Sequence, residues 1–138
     1  MHTEGRFAPE TATEARERFD ALGPTAQTVV REVATAMEFP KDEYDERVTG
    51  EVVERARNAL FATSLEVHVG SREEFDAWRE DHPDYEATVA GNENVDRVAW
   101  HAAPFADRAV AATFADEERA AIETLRRQAF GRLYRDEL

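Results

Sequence analysis

The sequence predicts an α+β fold: three N-terminal helices, then β-α-β-β-β-α, with a four-stranded, mostly antiparallel sheet covered by helices. Three observations predict it. The apolar period changes from 3.6 to 2 at Leu65, where Leu65, Val67 and Val69 alternate with Glu66 and His68. Further strand-like runs follow Tyr85, each bounded by Gly, Pro, Asn or Asp. The C-terminal stretch then returns to helical spacing, with Ile122, Leu125, Ala129 and Leu133 separated by 3, 4 and 4 residues.

Residues 1–8 show no pattern and are expected to fray. Pro9 opens a first helix to Leu22, whose Ala12, Ala15, Phe19 and Leu22 share one face. Gly23 reads as its stop and Pro24 as the first residue of a second helix. That helix turns Ala26, Val29, Val30, Val33 and Met37 inward and ends at Phe39-Pro40. An acidic stretch, Asp42 to Glu46, follows. Thr49 caps a third helix with Val52, Val53, Ala56, Ala59 and Leu60 as its stripe. The first strand covers 64–69. Ser71-Arg72-Glu73-Glu74 is a capping box for a short helix carrying Phe75 and Trp78, stopped at His82-Pro83. Tyr85, Ala87 and Val89 mark a second strand, and residues 91–94 a hairpin turn. A third strand runs 95–103, a turn covers 104–107, and a fourth strand runs 108–114. Asp116 caps the final helix, in which Gly131 suggests close packing.

Residues 1–138 are expected to form a single compact domain, with a helical half (1–63) and an α+β half (64–138). The third and fourth strands are apolar on both faces and are therefore expected to be covered on both. Either the N-terminal helices or a second copy of the chain could supply the second cover.

The chain carries 30 acidic and 17 basic residues, a net charge of −13, and no cysteine. A disulfide framework, a thiolate nucleophile and a Cys-based metal site are thereby excluded. Lys41 is the only lysine. Residues 1–63 hold 8 basic against 13 acidic groups and residues 64–138 hold 9 against 17, so the acidity is spread rather than gathered into a tail. Such charge is costly in dilute buffer, but at ~1 M salt the Debye length falls to about 3 Å. The composition therefore points to a halophilic, cytoplasmic protein, the alternative being a mesophilic acidic protein that binds a basic partner. The longest uncharged stretch, Ala21 to Val30, has ten residues, so no membrane span is expected. With no apolar run at the N-terminus, no signal peptide is expected.

His101 is the only polar group in the apolar run Val98 to Phe105. It is either a proton-transfer or ligand residue, with Arg97 or Asp107 in support, or a core histidine bonded to a carbonyl. His68 and Glu66 share a strand face and are weaker catalytic candidates. With His101 they could form a metal site only by meeting across the sheet, and no H-E-x-x-H or H-x-H spacing demands it. No metal and no cofactor is expected. Asn92 to Asp96 is oxygen-rich but lacks a calcium-loop ligand ladder. No nucleophile elbow, P-loop or dinucleotide fingerprint occurs. The final helix is locally basic, and Arg126, Arg127 and Arg132, with Trp100 and Phe105, are the candidate partner-binding residues. A helix-turn-helix in the helical half would rely on Glu51, Glu54, Arg55, Arg57 and Asn58, two of which are acidic.

The chain resembles a group of uncharacterised haloarchaeal proteins, a domain-of-unknown-function family. The likeness lies in Gly5-Arg6-Phe7-Ala8-Pro9, in Val69 to Phe75, in Asn94 to Phe105 and in Leu125 to Arg132. It covers nearly the whole length. It implies a halophilic source and no activity.

The residues leave three functional readings. The first is a non-enzymatic cytosolic protein that self-associates, as a homodimer, or binds a protein partner. The second is a small enzyme or ligand-binding protein with a pocket around His101. The third is a nucleic-acid-associated regulator using the helical half or the Arg-rich final helix, which the overall charge disfavours.

Overall fold

The computed structural model describes all residues, 1–138. Helix α1 spans Ala12–Ala36, α2 Lys41–Arg47 and α3 Gly50–Ser64. They are preceded by a short strand, β1 (His2–Glu4). Strand β2 (Val67–Ser71), α4 (Arg72–Asp81), β3 (Glu86–Ala90), β4 (Arg97–Ala103), β5 (Arg108–Phe114) and α5 (Glu118–Ala129) follow. The sheet has five strands in the order β1-β2-β4-β5-β3. Three pairings are antiparallel and the last, β3 with β5, is parallel. No helix is long and apolar enough to cross a membrane.

The α+β class and the mostly antiparallel sheet stand, and several details differ from expectation. Residues 2–4, expected to fray, pair with Val67 to Val69 as an edge strand. Their side chains are polar, so no apolar pattern marks them; the backbone bonds of β2's free edge order them, with side-chain contacts from Thr3 to His68 and from Glu4 to Arg119. The expected break at Gly23-Pro24 does not occur: α1 runs through it. Proline removes the donor that would reach the Asp20 carbonyl and crowds that turn, at ~3 kcal/mol in a free helix. Here Arg57 of α3 braces it. Its Nε donates to the Phe19 carbonyl at 2.8 Å and its Nη2 to Asp20 at 3.2 Å. The acidic stretch after Pro40 is itself helical, as α2. The loop at residues 91–94 is no hairpin, because β5 lies between β3 and β4.

Three local signals act as read. Thr49 accepts from Val52 N–H at 3.3 Å. Ser71 and Glu74 form the complete capping box. His82 ends α4. Helix α1 starts at Ala12 behind a Thr11 cap rather than at Pro9, and no side chain caps α5, so Asp116 does not serve there. After Ala129 the final helix widens into a π-helical turn, Phe130–Tyr134. Gly131 lies in it, and a Cβ there would meet nothing within 4 Å, so close packing is not its reason.

Both faces of the sheet are covered, as β4 and β5 required. One face presents Val67, Val69, Ala99, Ala103, Val110 and Ala112 to α5, α3 and the first half of α1. Phe61 of α3 is the hub, fully buried with edge contacts to Phe7, Phe19, Phe130 and Tyr134 at 5.2–6.0 Å between ring centres. The other face sets Val98, Trp100 and Ala111 beneath Phe75 and Trp78 of α4. The second cover is therefore α4. The doubly apolar strands by themselves do not require a second copy.

The helical hairpin extends past this core. From residue 27 to 60 only Ala34 is buried. The second half of α1, α2 and the first half of α3 form an arm whose own contacts are chiefly α1 against α3.

Candidate functional site

His101 sits at the centre of β4, 1% exposed. Its Nδ1 lies 2.6 Å from the Glu66 carbonyl oxygen and its Nε2 2.6 Å from the Tyr134 hydroxyl. A carbonyl can only accept, so Nδ1 carries the proton. Nε2 then accepts from the tyrosine O–H. Burial holds the imidazole down at about 4 against an ordinary 6.5, with the Glu66 carbonyl opposing that shift. Burial also pushes the Tyr134 hydroxyl above its ordinary value. Both ring nitrogens are engaged and no edge of the ring reaches solvent. The arrangement ties the π-helical turn through β4 to Glu66, the residue just before β2, as a neutral core histidine would. Of its suggested supports, Arg97 pairs with Glu118 at 3.1 Å and Asp107 makes the left-handed residue of the β4–β5 turn. Neither bonds the ring.

His68 pairs with Trp100 across β2 and β4. Strand alternation therefore puts His68 and His101 on opposite faces of the sheet, and the His/His/Glu metal arrangement is not assembled. His68 instead meets the Glu66 carboxylate at 3.1 Å and the Thr3 hydroxyl at 3.2 Å. A different group, His2, Glu4 and Glu118, brings its ligand atoms within 4.8 Å of one another. Arginines already serve both carboxylates. Arg119 grips Glu4 at 2.9 and 3.2 Å, and Arg97 holds Glu118. This group was illegible in the sequence because β1 had no pattern to place it.

Among the partner-binding candidates, Trp100 is fully buried under α4 and offers no surface. Phe105 is half-buried with its ring 5.6 Å from Tyr134. Arg132 and Arg127 are exposed, and neither forms an ion pair. Arg126 is half-buried and donates from Nε to the Leu65 carbonyl at 3.0 Å. Burial draws its pKa below the ordinary value. Gly5 makes room for this contact. At φ +80° its backbone passes so close that an added Cβ would lie 2.7 Å from an Arg126 nitrogen. On α3, Arg55 pairs with Glu51 at 2.7 Å, and Arg57 is committed to Phe19, Asp20 and Glu54. The helix-turn-helix reading therefore has no free basic face there.

What the structure adds is an apolar cup on the arm. Val29, Val30, Val33 and Ala34 of α1, with Met37 at its C-terminal cap, face Val52 and Ala56 of α3, with Phe39, Arg47 and Val48 closing the tip around a space of about 310 Å³. Val33 is 53% exposed, Met37 60% and Val29 40%. The sequence assigned Val29, Val33 and Met37 to a core. The helical period was right, but α3 is too narrow a partner to cover them.

The fold and these sites define an α+β protein with a projecting helical arm. The chain belongs to a family of unknown function (DUF5809), whose model matches residues 6–135. No curated protein and no solved structure matches it.

Proposed function

We propose that this is a non-enzymatic, halophilic cytoplasmic protein of haloarchaeal type that self-associates as a homodimer through the apolar cup of its arm. The exposed side chains Val29, Val33, Met37 and Val52 carry the reading. A patch of this kind on so charged a chain marks an interaction surface. A second copy is the occupant we favour. Ala26, Val30, Val33 and Met37 are spaced 4, 3 and 4 apart, the seam spacing of helix bundles. Two such hairpins pack into four helices and cover both seams. The arm also carries both signs of charge around the cup, with Arg31, Lys41, Arg47 and Arg55 among Glu32, Glu43 and Glu51. An isologous interface needs that self-complementarity. The net charge of −13 supports a salt-filled cytosol, where screening removes the repulsion between copies. The Phe61 cluster, drawing on residues 1–63 and 64–138 alike, supports a single folding unit.

Light scattering after size exclusion in ~2 M KCl tests it, a salt chosen to screen the charge. The parent should run as a dimer, and V33E or M37E as a folded monomer. A parent that stays monomeric at high protein concentration overturns the proposal.

A further inference from the structure

A groove of about 340 Å³ runs between α3 and α5, away from the arm's cup. Ala59 and Ala62 form its floor, and their small side chains keep it open. Thr63, Arg119, Glu123, Arg126 and Arg127 complete the lining. Ordinary small-ligand sites begin at about this size. From this geometry we propose that the groove is a binding site for a small phosphate-bearing metabolite, held by Arg126 and Arg127.

Arg126 is the anchor. Its Nε bond to the Leu65 carbonyl and the close passage of Gly5 fix the guanidinium in place. A preset fork loses little entropy on gripping an oxyanion. A half-buried guanidinium calls for a compensating anion; no carboxylate forms a direct ion pair with it, and Glu4 and Glu123 act on it only through longer-range charge. Arg127, next in sequence, is exposed and unpaired at the same groove. Arg119 adds positive potential but spends its fork on Glu4. The terminal nitrogens of Arg126 together with the whole guanidinium of Arg127 suit a dianionic phosphoryl group better than a single carboxylate. Glu123 stands on the same wall. It offers an acceptor for a hydroxyl or amine on the rest of the ligand. The net charge of −13 favours a small ligand over nucleic acid.

The test is an NMR titration with inorganic phosphate at constant KCl, with acetate and a short DNA duplex as parallel arms. Phosphate should shift Thr63, Glu123 and the Arg127 side chain saturably, and acetate should not. R127Q should weaken phosphate about tenfold or more, the loss of one charge-assisted hydrogen bond. R132Q, outside the groove, should leave it unchanged. Arg127 is exposed, so its replacement does not threaten the fold. Unsaturable shifts spread over the surface, equal losses in R127Q and R132Q, or duplex binding that depends equally on both would overturn the proposal.

Discussion

Acid should destabilise this protein through His101 before its carboxylates dominate. The folded imidazole is held near 4 and the free one titrates at 6.5. Above pH 6.5 both states carry a neutral ring and the contribution is complete. As the pH falls from 6.5 toward 4, the unfolded chain takes up a proton that the folded chain refuses, and stability drops. At ~1.36 kcal/mol per unit the loss over that window is about 3 kcal/mol. Its cause is geometric. Protonation makes Nε2 a donor, so the Tyr134 hydroxyl must turn its own proton into an apolar core. The assay is urea unfolding at fixed high KCl across this pH range, comparing the parent with H101Q. The difference in slope isolates His101 from the acidic side chains. NMR of the ring nitrogens should also show the proton on Nδ1 in the folded state. A folded ring that titrates near 6.5, a proton on Nε2, or the same pH slope in H101Q would refute this reasoning.

Three further outcomes are expected. Y134F should cost about 1–3 kcal/mol at neutral pH, because it leaves a buried nitrogen without its donor; thermal melts measure this, and an unchanged midpoint would mean that the hydroxyl bond is dispensable. R57A should cost about 2 kcal/mol, since it removes a guanidinium 4.0 Å above the Phe19 ring together with the bonds beside Pro24. Urea midpoints would show it, and an R57A protein as stable as the parent would mean that α1 tolerates its proline unaided. G131A should stabilise by about 0.5–1 kcal/mol, because the site is open and its backbone φ is negative. A lower melting temperature for G131A would show that the π-helical turn needs glycine's freedom.

Local chemistry was legible wherever a few neighbouring residues decide the outcome. Ser71 with Glu74, Thr49 and His82 each act within one helical turn, and sequence spacing is sufficient for that. The alternation from Leu65 to Val69 identified a strand even though its start moved to Val67. The doubly apolar β4 and β5 correctly implied two covers. Illegible were the features that depend on partners distant in sequence. His2 to Glu4 become a strand because β2 has a free edge. Pro24 stays inside α1 because Arg57 approaches from α3. His68 and His101 look like neighbours in composition, but β-strand register sends them to opposite faces. The groove at Arg126 joins residues of α3 and α5, far apart in sequence, and no motif spans them.

By itself, then, the sequence determined the α+β class, the helical caps and the distributed acidity, because periodicity, caps and charge are written residue by residue. Tertiary structure alone decided which apolar residues are core and which are surface. Trp100, offered as a contact, is sealed beneath α4. Met37, offered as core, stands exposed. An apolar stripe says only that a helix has a face to bury. How much of that face is buried depends on the width of what packs against it, and α3 covers only part of α1.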